Sequence, residues 1–465
     1  MAISQDVAGL EGRSVLRTAP GPRGSWLLGS IRALQTEPLR HFMEGRAAHG
    51  DVVAFRLGLF QAFLLAHPDH IHHVLQANHR NYDKQIITFR RLRSILGNGL
   101  VTADGADWQH QRAVAKPAFL NRRVAAAAPI VVRGADDVAT AWHAAALSGA
   151  PVDVHVDMMR VTLRVAGAAL FGADVDEDAD AVGDALNRAL REVQRRVNAI
   201  IALPEFVPTP TQLRLREARG VLYRLVDRLI VARREAAVPH DDLLTLLLEA
   251  SDAESGGAKA ERQLRDEVLT FLLAGHETTA STLSFTWYLL ARHPEVGARL
   301  RAEVEAVLGG RAPTFDDLRQ LTFTKMVIEE VMRLYPPVWA MERGVVADDA
   351  IGGYRIPAKS FVMLSPYVTH RHPAFWSEPE RFDPERFRPE VAHERPRHAY
   401  FPFGLGPRVC IGATFAMAEA VLMLARLAAQ FELGLPPGYE IDLDPNITLR
   451  PRRGLPMTVR AIGRA

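Results

Sequence analysis

Cysteine is almost absent from this chain: Cys410 is the only one in 465 residues. That excludes internal disulfides and cysteine-rich zinc or iron–sulfur sites, and it suits a reducing cytoplasm. A charge bias is absent too. Lys+Arg number 56 against Asp+Glu 54, a formal net charge of +2. Nothing global therefore argues for nucleic acid binding. No apolar run opens the chain. Met1 to Pro20 is mixed and polar. It has neither the apolar core of a signal peptide nor the ~20 apolar residues that a membrane span needs. The expectation is a cytoplasmic protein without a membrane span. Internal repeats, low-complexity tracts and linkers are missing as well. Ser251 to Ala260 is polar, but helical patterns flank it closely, so it reads as a surface loop between two helices. The reading is one domain over residues 1–465. Residues 1–25 form an extended entry segment, stiffened at Pro20-Gly21-Pro22 ahead of Trp26.

What is present is a large core. Hydrophobic content is 48% and charged content 24%, as in globular proteins. Val52 to Leu65 has apolar and β-branched stretches on both sides of Gly58 and predicts a hairpin. Helical periodicity dominates from Pro117 to Leu308. Strand-like pieces return from Val345 to Met363 around Gly352-Gly353, and again from Ile447 to Val459. The fold class is mainly α (α+β), with small sheets. Leu264 to Arg292 predicts one long central helix, ended by His293-Pro294. Ala413 to Leu433 is apolar enough to resemble a membrane helix, but Glu419 and Arg426 interrupt it. A buried core helix is the better reading.

Cys410 sits in Phe403-Gly404-Leu405-Gly406-Pro407-Arg408-Val409-Cys410-Ile411-Gly412. A thiolate is a strong metal ligand when positive charge or backbone N–H groups stabilise it. Glycines let the backbone approach a flat ligand closely. A lone cysteine is often just a small buried hydrophobe. A nucleophilic cysteine would need a histidine and an orienting group. The positions matched around Cys410 speak against both. The pattern Phe-x-x-Gly-x-Arg-x-Cys-x-Gly resembles the haem-binding loop of the cytochrome P-450 family. The resemblance implies haem b (iron protoporphyrin IX) with Cys410 as thiolate ligand of the iron, and Phe403, Gly404, Arg408 and Gly412 around it.

Three further motifs follow the family's order. In Ala274-Gly275-His276-Glu277-Thr278-Thr279 a mid-helix glycine costs ~1 kcal/mol relative to alanine. Ala274 and Thr278 share a face, so the Thr278 hydroxyl can reach the carbonyl of Ala274 and loosen that turn. A bare Gly275 leaves room beside it. A helix-packing glycine next to a surface acid is the plainer alternative. The hexad resembles the family's oxygen-activating helix. By that likeness Thr278 hydrogen-bonds dioxygen and Glu277 helps deliver protons. Glu330-Val331-Met332-Arg333 puts an acid and a guanidinium on one helix face, a weak signal alone. With Pro384-Glu385-Arg386-Phe387 it resembles the family's Glu-x-x-Arg helix and Pro-Glu-Arg-Phe segment, implying a buried triad of Glu330, Arg333 and Arg386. Trp108-Gln109-His110-Gln111-Arg112 resembles the family's Trp-x-x-x-Arg helix, implying that Trp108 and Arg112 meet one haem propionate. Arg408 and Arg343 are the further propionate candidates.

From Trp108 to Ala135 there is no Asp or Glu, while Arg112, Lys116, Arg122, Arg123 and Arg133 occur. In the family this side receives the electron donor, which implies an acidic ferredoxin or flavodoxin. The chain ends soon after Cys410 with no fused flavin or iron–sulfur module, so a separate reductase is expected. A monomer is expected as well. By position in the family's fold, Ile86 to Leu96 (with Ile86, Ile87 and Phe89), Ile200 to Phe206, Phe271, Leu272, Val338, Trp339, Ala340, Met341 and Asn446 to Thr448 (with Ile447) wall the substrate cavity. These residues are largely apolar, which points to a lipophilic substrate: fatty acid, terpenoid or macrolide-like, in that order. The implied function is a haem-thiolate monooxygenase that uses O₂. The rivals are a peroxide-using or rearranging enzyme on the same scaffold, and a non-catalytic haem sensor or carrier.

Overall fold

The computed structural model describes residues 16–173, 209–236, 240–253 and 257–462, with isolated positions between 183 and 195. Helices form the body. Four of them enclose the site: Gly105–Ala115, Val154–Phe171, Ala258–Arg292 and Ala413–Ala428. Two start at aspartate caps, which satisfy amides that a helix leaves open at its first turn. Asp104 accepts from the Gly105 amide at 3.0 Å. Asp153 accepts from His155 and Val156 at 3.0 and 3.3 Å.

The long central helix begins at Ala258, six residues before the expected Leu264, and runs 35 residues to Arg292. The polar stretch read as a loop therefore supplies its first turn. Exposed helix ends carry no apolar period to reveal them. His293-Pro294 ends it, and Pro294 opens the next helix. The helix after Cys410 also differs from expectation. It stops at Ala428, and Phe431–Gly434 continues as a strand. Both stretches are buried, so the apolar pattern runs through the break.

β1 (Val52–Leu57) and β2 (Phe60–Leu65) form the expected antiparallel hairpin. β2 pairs in parallel with Phe361–Leu364, which pairs antiparallel with Met341–Val345, which ends on Tyr82–Asp83. Glu330 and Arg333 lie fully buried on the Thr322–Leu334 helix with an N–O distance of 2.6 Å. Arg386 stands 3.5 Å from Glu330. Arg333 also donates to the carbonyls of His370, Pro379 and Arg381, and Glu330 accepts from the Asp383 amide at 2.8 Å. The triad pins the irregular chain that leads to the Cys410 loop. Among the described residues no helix is long and apolar enough to cross a membrane.

Candidate active site: a cavity between the cysteine loop and the central helix

The Cys410 loop is closed on itself. The Cys410 amide donates to Phe403 O at 2.8 Å and the Gly404 amide to Phe401 O at 2.9 Å. Gly406 has φ +68°, and a Cβ there would lie 2.0 Å from the carbonyl oxygen of Leu75. Only glycine fits that contact. The loop borders a cavity of about 310 Å³. Across it stand Ala274, Gly275 and Thr278 of the central helix. Ala274 is exposed although its helix neighbours Leu273 and His276 are buried. Its surface opens into the cavity, as does that of Cys410. Burial pushes the Cys410 thiol above its ordinary value, while the Gly412 amide and the Arg112 charge pull it back.

Thr278 Oγ1 donates to Ala274 O at 3.1 Å, the bond expected from their spacing. Gly275 lines the cavity beside them. A Cβ there would meet Ala166 and Leu170 at 3.6 and 3.7 Å, ordinary contact distances, so helix packing does not require the glycine. Glu277 is not a surface acid. It lies behind the cavity wall, buried, and accepts from Thr448 Oγ1 at 2.6 Å with Arg450 at 3.6 Å. Burial raises its carboxyl, and Arg450 and Thr448 oppose that. Its neighbours His276 and His155 are pushed down by burial to about 4 and stay neutral.

One rim of the cavity is cationic. Arg112, Arg343, Arg408, Lys84 and the Trp108 ring all line it. The Arg408 guanidinium lies 4.2 Å and that of Arg112 5.9 Å from the Trp108 ring centre. Arg408 pairs with Asp104. Arg112 donates to Val409 O at 2.9 Å. Burial lowers all four cations, and mutual repulsion adds to it for Lys84, Arg343 and Arg408, with Arg343 pushed down to about 10. Of the nearby acids, burial raises Asp83 and Glu342 toward the neutral form. Only Asp104 is held low; burial opposes this, but the Lys84 amide and Arg408 outweigh it. The rim is left with uncompensated positive charge, which calls for an anionic ligand. A thiol on one wall and cations at the rim fit haem, whose iron takes a thiolate and whose propionates take arginine.

Phe271, Val338 and Met341 line the cavity as expected, with Leu100, Val101, Phe119 and Leu170. The other expected pocket residues among those described do not, Leu272 included, which is buried in the helical core. Trp339 donates its indole N–H to Asn446 O at 2.7 Å and packs against Phe42. Ala340 joins the same core beside β1 and β2. Ile87 is exposed. Ile86 lies against Gly344, and Phe89 lies under Lys84 and packs, like Ile447, on the helical core. Thr448 serves Glu277 instead. Position along a chain does not say which way a side chain turns, and these turn into neighbouring elements. Ile200 to Phe206 lies outside the described residues.

Sequence reasoning missed Lys84, Asp104, Arg450 and Glu419. Lys84 is nearly buried and donates to Val101 O at 2.6 Å; no motif marks it. Glu419 is buried beside Thr279, and burial pushes its carboxyl up to about 8. An acid interrupting an apolar helix was its one signal. Leu100 and Val101 reach the cavity because two adjacent acids of the central helix hold their loop. Asp266 accepts from the Asn98 amide at 2.8 Å and Glu267 from the Leu100 amide at 3.2 Å.

The cytochrome P-450 family model matches residues 19–455. The chain is 38% identical over 435 residues to cyclooctatin synthase of Streptomyces melanosporofaciens, covering 93% of this chain and 94% of that one. It is 39% identical to cyclooctat-9-en-7-ol 5-monooxygenase of the same organism, at 90% coverage of each. To pentalenene oxygenase of Streptomyces avermitilis it is 35% identical, over 92% of this chain and 93% of that one. A match of that length encloses both the cysteine loop and the central-helix hexad, so the chain belongs to the cytochrome P-450 family and is a monooxygenase that binds haem b through a cysteine thiolate.

Proposed function

We propose that this monooxygenase hydroxylates a terpenoid. The observation that carries the reading is the cavity itself. Cys410 faces Ala274 and Thr278 across a space walled by Leu100, Val101, Phe119, Leu170, Phe271, Val338 and Met341. Such a wall offers apolar contact and few polar groups, which suits a compact hydrocarbon skeleton. The names of the three relatives concern cyclooctatin, cyclooctat-9-en-7-ol and pentalenene. That moves terpenoids ahead of fatty acids and macrolide-like compounds.

In this reading Cys410 is the iron ligand, with Phe403, Gly404 and Gly412 shaping its loop. Trp108, Arg112, Arg408, Arg343 and Lys84 hold the propionates. Bound haem supplies the oxygen activation and insertion chemistry, and the protein supplies ligation, orientation and proton delivery. Thr278 offers a hydroxyl at the cavity wall whose proton can be given forward. Glu277 stands one residue behind it; its proton can be exchanged through the Thr448 hydroxyl, and Arg450, on the outer hairpin of Leu443–Pro445 and Leu449–Pro451, steadies its charged form. Leu100, Val101 and Phe271 keep bulk water from the substrate. Glu330, Arg333 and Arg386 hold the scaffold. The whole chain acts as one haem-thiolate domain.

Electrons come from a separate acidic ferredoxin or flavodoxin with its reductase. Lys116, Arg122 and Arg133 are exposed and support a basic docking face. Arg112 is turned to the cavity and Arg123 pairs with Asp241, so neither belongs to that face. Turnover with such a donor should fall steeply with added salt; a flat profile would reject the charge-steered partner.

The test is a panel of cyclic terpenes and fatty acids, screened for spin-state shifts in the ferric holoprotein and then for products. Terpene shifts followed by hydroxylated product support the reading. Shifts with fatty acids alone reject it. Thr278→Ala should consume reducing equivalents without matching product. Full coupling in that variant would remove Thr278 from proton delivery.

A further inference from the structure

Glu419 is a buried acid with no part in the chemistry proposed so far. It lies on the Ala413–Ala428 helix and is 1% exposed. Ala416 and Ala420 of the same helix line the cavity, and so does Thr279 of the central helix. Glu419 sits behind that wall, beside Thr279. Neither of its carboxyl oxygens completes a hydrogen bond among the described residues. The Thr279 hydroxyl is the one polar group close enough to act on them. Buried polar atoms are rarely left so, and each such atom calls for an explanation.

Thr279 is short of a partner in the same way. It is 3% exposed. Its hydroxyl donates to Gly275 O at 3.5 Å, longer than an ordinary O–H···O bond. Thr278 donates to Ala274 O at 3.1 Å. Two successive threonines therefore lean on carbonyls of the turn that faces Cys410, and the second has an acid behind it. Glu277 and Thr279 are two apart, about 200° around the helix, so Glu419 meets the face opposite Glu277.

The surroundings set the state of this acid. Charged groups on the elements packed against its helix are engaged elsewhere. Asp136 holds Arg426, Glu330 holds Arg333, Asp317 holds Arg311, and Glu432 holds Arg301 and Arg460. Glu303 accepts from the amides of Phe323 and Thr324. Burial therefore dominates at Glu419, opposed by the Thr279 hydroxyl, and pushes the carboxyl up to about 8. At neutral pH Glu419 has an O–H to donate, and Thr279 Oγ1 has lone pairs to receive it.

We propose that Glu419 is a positioning residue for the turn opposite Cys410: its carboxyl O–H donates to Thr279 Oγ1, which leaves the Thr279 hydroxyl to donate to Gly275 O. Ionisation reverses the bond. A carboxylate only accepts, so the Thr279 hydroxyl then turns to Glu419 and releases Gly275 O. The cavity wall thus has two hydrogen-bond states, selected by a proton held behind it.

The test uses the haem-loaded full chain and needs no substrate. Infrared difference spectra at neutral pH should show the carbonyl stretch of a protonated carboxyl in the wild type that is lost in Glu419→Gln. Thr279→Val removes the acceptor, so that band should move to higher frequency. Thr279→Ser should leave it in place. Carbon monoxide on the reduced protein then reports on the cavity wall. Its stretch should shift in the wild type with a midpoint at about pH 8 and stay constant in Glu419→Gln over the same range. A missing carboxyl band overturns the proposal, as does a band that Thr279→Val leaves unmoved. So does a carbon monoxide stretch that titrates alike in wild type and Glu419→Gln. If Glu419→Gln does not hold haem, the band position in Thr279→Val against Thr279→Ser decides alone.

Discussion

Two of the regions that bury arginine among the described residues do so in opposite ways. In the Glu330–Arg333 pair the guanidinium meets a carboxylate at 2.6 and 2.8 Å and three backbone carbonyls. Every donor direction is used within the protein. At the cavity rim Arg112, Arg343, Arg408 and Lys84 crowd together, and of the acids near them only Asp104 has its carboxyl held low. The first region is complete without a ligand; the second is not. Buried charge that is fully paired speaks of folding, whereas buried charge in excess of one sign speaks of binding.

Breaking the complete region should have the largest effect. Arg333→Ala leaves Glu330 charged and buried without its main partner, at ~3–5 kcal/mol. Urea denaturation and the yield of the reduced-CO band should show destabilised protein that retains little haem. A normal unfolding midpoint would remove the triad from folding.

The incomplete region should answer differently. Arg343→Gln removes a buried charge that is repelled by Arg408, so the urea midpoint should move little. Haem transfer to apomyoglobin should speed up by about tenfold or more, since a hydrogen bond to a charged group contributes roughly 1.5–3 kcal/mol. A large stability loss with unchanged haem retention would invert the comparison.

Arg386 tests the edge of the triad. It stands 3.5 Å from Glu330 and is the member with some exposure. Arg386→Ala should cost only ~1–2 kcal/mol, measured by the same urea titration. If it matched Arg333→Ala, the three residues would be equal partners.

Glu419 supplies a third kind of burial, an acid among apolar residues. Its folded value of about 8 lies above the ordinary 4.5. The unfolded chain therefore gives up this proton at lower pH than the folded chain does. Stability from this group is present below about 4.5 and is lost as pH rises toward 8. Glu419→Gln stays neutral throughout. Its thermal midpoint should fall less steeply across that window, by at most about 1.4 kcal/mol per pH unit. Parallel slopes would show that Glu419 is ionised in the folded state.

Much of this was legible in the sequence because the chemistry is local. The Cys410 loop, the Ala274–Thr278 turn and the Glu330–Arg333 pair each lie within one short segment, where spacing sets geometry. The β1–β2 hairpin announces itself for the same reason. What spans distant segments was not legible. Lys84 joins Arg408 from the far side of the chain, and Arg450 reaches Glu277 from the outer hairpin, with nothing in either segment to announce it. Trp339 and Thr448 sit where a pocket was expected but turn their side chains to Asn446 and Glu277. By itself the sequence marked the Cys410 loop, the central helix and the Glu330–Arg333 pair, since helix period and turn chemistry act over a few residues. Only the tertiary structure decided which side chains face the cavity and which charges stay uncompensated there. Those depend on how elements far apart in the chain pack, and on burial, which no single segment carries.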